Sequence, residues 1–246
     1  MIMRYMTEKE FGTFFDKKVE ELTCAGLLKS AESHNIENFK KHLVDTAKIA
    51  KDTANKIINN HPTFAAKLDV NILEAAGFFH DITKLWKGRP YHEIDAAKFV
   101  IDCGDGLIVR DGTASERRFA LIKIARIILS DFILYEELNR QSYLNESHYP
   151  QHFENAQKDI QFLMRKFSEI FNTKLSFLDV VLPYKIDQQI LLYADLTNVN
   201  GNRLTVEERI ADIIARWPDS IKPLIEQAKP RLFVVAHTVQ QLLVEV

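Results

Sequence analysis

The chain has 246 residues, 46% of them hydrophobic, and a formal net charge of −2, enough apolar material for a sizeable core and no general basic field for a nucleic-acid backbone. Cys24 and Cys103 are too few for a disulfide framework or a thiolate zinc site, so a reducing cytoplasm is the expected compartment. The opening Met1-Ile2-Met3-Arg4-Tyr5-Met6 carries no apolar signal core and nowhere do ~18 apolar residues run together, so no membrane contact is expected.

Apolar residues recur at helical spacing and strand-like alternation is scarce, which predicts an all-α fold. A first helix is expected over 7–28, opened by a capping box of Thr7 and Glu10 ahead of Phe11, Phe14, Phe15 and Val19. A second, over 36–60, sets Phe39, Leu43, Ala47, Ala50, Ala54 and Ile57 on one stripe beside His42, and His61-Pro62 ends it. A third begins near Asn71 and carries Ile72, Leu73, Ala76 and Phe79 up to His80-Asp81, before Gly88-Arg89-Pro90 breaks the pattern and a further helix starts around Tyr91-His92-Glu93. Loops at 104–106 and 111–113 precede a long helix over 116–137, and 143–149 is polar and irregular. Pro150 suits the first turn of a helix reaching 171, and 186–196 is another, containing Asp195. The turn Asn198-Val199-Asn200-Gly201-Asn202 leads to a capping box of Thr205 and Glu208 that opens a helix to 217. After Pro230 the apolar stretch 232–246 reads as a final helix that either closes the core or forms a homodimer contact. At ~100–200 residues per domain the length allows one large or two small domains, and because no repeat or linker divides the chain, one domain over 1–246 is expected.

His42, the pair His80-Asp81 and Asp195 lie on three of these helices, and nitrogen and carboxylate donors converging from separate helices are what a hydrolytic divalent-metal site requires. His80-Asp81 closes the apolar run Ala75-Ala76-Gly77-Phe78-Phe79, where burial without a partner costs roughly 2–7 kcal/mol for a neutral group and more for a charge. A bound cation removes that cost. The ordinary alternative is that the helix ends there and both side chains face water.

These residues together resemble the HD-domain superfamily of metal-dependent phosphohydrolases, over roughly residues 39–217. His42 with the following Leu43-Val44-Asp45-Thr46-Ala47 looks like the family's first metal histidine, and His80-Asp81-Ile82-Thr83-Lys84 like its signature pair and lysine. His92 is similar to an additional histidine on the next helix, and Leu191-Leu192-Tyr193-Ala194-Asp195 to the closing metal aspartate. The pattern is similar to that of small bacterial members, among them the symmetrical diadenosine tetraphosphate hydrolases. It departs from them in the long segment 103–184, in the further histidines between His92 and Asp195, where only His148 and His152 are candidates, and in the apolar C-terminal stretch.

The resemblance implies a compact helical bundle with added N- and C-terminal helices, and one divalent ion (Fe, Mn, Co, Ni, Zn or Mg) held by His42, His80, Asp81 and Asp195. It implies hydrolysis of a small phosphorylated substrate, a nucleotide or another phosphate ester. Asp81 then both ligates the ion and orients its water. Lys84, one turn beyond Asp81, meets a substrate phosphate or is a solvated helix-end cation. His92 protonates the leaving oxygen, binds phosphate or ligates a second metal, or else faces water. Arg89 binds phosphate or is solvated. Arg203 and Arg209 reach a carboxylate or a phosphate near the closing Asp or, ordinarily, pair with Glu207 or another surface acid, Asp131, Glu136 and Glu137 lie on a polar helix face, and His34, His61 and His237 are structural or exposed. Two other classes stay open: a di-iron oxygenase, which needs His148, His152 (otherwise ordinary surface histidines) or another donor to complete a second site, and a nucleotide sensor or interaction module without turnover.

Overall fold

The computed structural model describes residues 3–29, 35–87, 91–130, 132–139, 150–199, 202–216, 219 and 222–244. Among these residues it contains 11 α-helices and four two-residue strands, a predominantly all-α and compact arrangement. No helix among them is long and apolar enough to cross a membrane.

Helix α1 (Glu8–Cys24) starts at the expected cap, with Thr7 and Glu10 bonding each other's backbone N–H groups, and it buries Phe11, Phe15 and Leu22. Phe11 stacks on Phe78 at 4.7 Å between ring centroids. The helix stops short of residue 28, with Gly26 at φ +66° just past the Ala25 cap. Strand β1 (Arg4–Tyr5) pairs antiparallel with β2 (Val109–Arg110), and Arg110 donates to Glu10. The Thr7 backbone N–H, the Thr7 hydroxyl and Arg110 together lower the Glu10 carboxyl from its ordinary 4.5 to about 2. A carboxylate lowered in this way contributes stability above its unfolded value and loses it as pH falls through the folded one. Acidification from pH 4.5 toward 2 should therefore loosen α1, seen as faster amide exchange around Phe11, and Glu10→Gln should remove that part of the acid response. Exchange in that window that is identical in wild type and variant would count against the linkage.

Helix α2 (Ile36–Asn60) lies along α3 (Val70–Phe79) in the most extensive helix contact among the described residues. Helix α3 is capped by Asp69, whose carboxylate accepts from the N–H groups of Asn71 and Ile72. It ends at Phe79 and passes through His80-Asp81 into a 3-10 turn, Ile82–Leu85. Helix α4 (His92–Cys103) begins at Tyr91, a non-glycine residue at φ +62°, and packs along α5 (Ala114–Leu129). The Thr83 hydroxyl donates to the His92 carbonyl at 2.9 Å, tying the 3-10 turn to the start of α4.

Several expectations are corrected here. The single helix over 116–137 is two. Helix α5 opens at Ala114, because Thr113 and Glu116 form a capping box, and it closes at Ser130, whose hydroxyl bonds the Ile127 carbonyl at 2.8 Å. Phe132 then adopts φ +28°, incompatible with continuation, before α6 (Leu134–Asn139). Glu136 is not on a polar face: it is buried and holds Arg231 through two hydrogen bonds of 3.1 and 2.6 Å. Asp131 lies outside the described residues.

Helix α7 (Pro150–Phe171) has the expected bounds, and α8 (Phe177–Val181), capped by Ser176 and Asp179, was not anticipated. Helix α9 (Ile186–Leu196) also runs as expected and packs on α2. Strands β3 (Asn198–Val199) and β4 (Asn202–Arg203) pair across the expected turn before α10 (Val206–Arg216), which the Thr205–Glu208 capping box opens. The last helix, α11 (Lys222–Leu243), starts before Pro230 rather than after it. Leu224, Ala228, Leu232, Val235 and Val239 form one buried stripe through the proline. Burial of five such side chains, at roughly 1.5–3 kcal/mol for each large one, outweighs the ~3 kcal/mol cost of an interior proline. The C-terminal helix thus closes the core.

Candidate metal centre

Three helices converge on one buried polar cluster. Helix α2 contributes His42 through its second turn, the end of α3 contributes His80 and Asp81, and the last turn of α9 contributes Asp195. The Nε2 of His42 lies 3.1 Å from Asp195 Oδ1, and the Nε2 of His80 lies 3.5 Å from the same oxygen. An ion bound at about 2.0–2.2 Å from N and O donors holds adjacent donors roughly 3.0–3.5 Å apart. The spacing and the imidazole and carboxylate chemistry fit a divalent cation, and ligand atoms of His42, His80 and Asp195 all lie within 4.8 Å of one another. The cluster can hold a metal ion.

The histidines are oriented for this. His80 is fully buried, and its Nδ1 is 2.8 Å from the Gly77 carbonyl, which can only accept. Nδ1 therefore carries a proton, and Nε2 is the ring nitrogen turned toward the cluster, where a cation would find it. On α2, the Asn198 side-chain amide approaches the opposite side of the His42 ring, 3.3 Å from Nδ1, and leaves Nε2 toward Asp195.

Asp81 borders the same space, its Oδ2 being 3.9 Å from His42 Nε2 and 3.7 Å from His80 Nε2. That oxygen also takes the Lys84 ammonium, while Oδ1 accepts from His92 Nε2 at 2.9 Å. Burial alone raises the Asp81 pKa, but the charges of Lys84, His80 and His92 prevail and hold it well below the ordinary carboxylate range. Asp195 is likewise raised by burial and brought well below that range by its bonds to His42 and His80. Both carboxylates are anionic ligand types at neutral pH.

Lys84 and His92 are not the solvated side chains of the ordinary alternative. Lys84 is 7% exposed and His92 9%, each against Asp81, and His92 Nε2 also lies 3.2 Å from the buried Glu93. Arg209 pairs with an acid of its own helix, Asp212 rather than the Glu207 named for it, and His237 is exposed. Arg89, His34 and His148 lie outside the described residues, as does the side chain of His152. Four contributors were not singled out from sequence. Asn198 reads as a turn residue, and it and Thr46 gain their roles from partners more than 150 residues away. Gly77 and Glu93 meet His80 and His92, close neighbours in the chain, through contacts that residue type alone does not signal.

Comparisons with protein-family models, with curated proteins and with solved structures found no match to this chain. Function is therefore to be read from the donor set and its surroundings.

Proposed function

We propose that this chain is a metal-dependent phosphohydrolase acting on a small phosphorylated substrate, a nucleotide being the leading class, with one divalent ion held by His42, His80, Asp81 and Asp195. The observation that carries this reading is the convergence of His42, His80 and Asp195 ligand atoms within 4.8 Å in a buried cluster with Asp81 against it. A divalent cation bound there would supply hydroxide near neutral pH and polarise a phosphoryl oxygen.

The chain's own residues do the rest. Lys84 keeps Asp81 ionised and brings an ammonium to the edge of the cluster, where a substrate phosphate oxygen can meet it. His92 carries a proton at Nε2, bonded to Asp81 Oδ1, and can pass it to a leaving oxygen. The burial of all these groups strengthens their action on phosphate.

One metal is favoured over two because, among the described residues, one donor group of this kind occurs. The test is metal content per chain on gently purified protein, combined with phosphate release from mononucleotides and dinucleoside polyphosphates as Fe, Mn, Co, Ni, Zn and Mg are added back. About one metal per chain with phosphate release is expected. Paired irons without phosphate release would point to an oxygenase, and nucleotide binding without turnover to a sensor.

A further inference from the structure

Asn198 follows Asp195 by three residues, but the chain leaves α9 at Thr197, so the Asn198 side chain is directed at α2 instead of continuing around the helix. It is 0% exposed. Its amide nitrogen donates to the His42 carbonyl at 2.9 Å and to the Thr46 hydroxyl oxygen at 2.8 Å, and it lies 3.3 Å from His42 Nδ1. The segment bearing it is pinned on both sides. The Thr197 hydroxyl bonds the Tyr193 carbonyl at 2.8 Å, the Leu204 N–H bonds the Thr197 carbonyl at 3.1 Å, and Asn198 pairs with Arg203 across the hairpin.

One buried amide therefore touches the backbone and the ring of the His42 residue from a rigid segment that also carries Asp195. We propose that Asn198, backed by Thr46, is a positioning residue that sets the His42 ring and its separation from Asp195 for metal binding. The proposal rests on the reading of His42 and Asp195 as metal ligands. Without the amide, the His42 ring can rotate and exchange the nitrogen it presents, and α9 is free to shift its carboxylate relative to α2. A clamp of this kind acts on the affinity and geometry of the site in the folded protein, whereas a residue that merely fills the core acts on the folding equilibrium.

The experiment measures cobalt(II) affinity by chelator competition, together with the cobalt visible spectrum, on the full chain well below its melting temperature. The proteins compared are wild type, Asn198→Ala, Thr46→Val, Thr46→Ser and Asp195→Ala. Asn198→Ala is expected to weaken cobalt binding about 10–100-fold and to alter the visible spectrum. Thr46→Val should weaken it less, and Thr46→Ser, which keeps the hydroxyl, should restore wild-type binding. If Asn198→Ala fails to fold, the contrast between Thr46→Val and Thr46→Ser carries the test alone. Cobalt affinity within about twofold of wild type, with an unchanged spectrum, in Asn198→Ala and Thr46→Val would overturn the clamp while leaving the metal site standing. A wild type that binds cobalt no better than Asp195→Ala would overturn the metal site itself, and the clamp with it.

Discussion

Asp195→Ala is expected to abolish metal retention and, with it, phosphate release, while the helical content stays close to that of the wild type. Its Oδ1 lies nearer to both histidine Nε2 atoms, at 3.1 and 3.5 Å, than the Asp81 carboxylate does, so its removal takes the closest anionic donor from between two imidazoles. Loss of an oriented ligand exceeds the 10–100-fold effect of residues that only support ligands, so affinity should fall by more than about 100-fold. The fold survives because Ile190, Leu191, Leu192, Ala194 and Leu196 anchor α9 in the core without help from the carboxylate. Asp81→Ala should also lose metal and hydrolysis, and in addition it leaves Lys84 buried without its carboxylate. The two variants should therefore behave alike by metal analysis and differ by thermal melting, with Asp81→Ala the less stable. Full metal content in Asp195→Ala would remove the basis for the site.

Gly77→Ala is expected to destabilise the protein despite the helix propensity of alanine. A Cβ on Gly77 would lie 2.3 Å from the Ala47 Cα and 2.6 Å from its nitrogen. These are backbone atoms of α2, which cannot rotate aside as a flexible side chain would. The propensity gain is at most about 1 kcal/mol, and forcing apart a packed helix pair costs typically 1–3 kcal/mol and more where backbone is struck. The clash prevails, and the denaturation midpoint should fall. A second consequence is chemical. The same close approach holds the His42 and His80 rings 5.3 Å apart between centroids, and the Gly77 carbonyl fixes the His80 tautomer. Metal affinity in the folded fraction should therefore fall too. A midpoint equal to or above that of wild type would show that α2 and α3 do not meet this closely.

What could be read from sequence was what depends on near neighbours. The bounds of α2, α7 and α9 follow from apolar periodicity with a proline or a polar break at the ends, and the caps at Thr7 and Thr205 from a hydroxyl followed three residues later by a glutamate. Where periodicity runs on but a competing interaction intervenes, pattern and structure part. Ser130 ends α5 through its own hydroxyl, and the buried stripe of α11 carries helix through Pro230 against local preference. Glu136 looked like an exposed acid because Arg231, which makes its burial tolerable, lies on another helix.

By itself, the sequence determined the all-α class and put His42, His80-Asp81 and Asp195 on or at the ends of three helices, because helical pattern and residue type are properties of short stretches. Only the tertiary structure decided that the His42, His80 and Asp195 donors meet within 4.8 Å, that Lys84 and His92 turn inward onto Asp81, and that Asn198 links Asp195's segment to His42. Each of those facts depends on how helices far apart in the chain pack. That packing is set by close contacts such as Gly77 against Ala47, which no local pattern records.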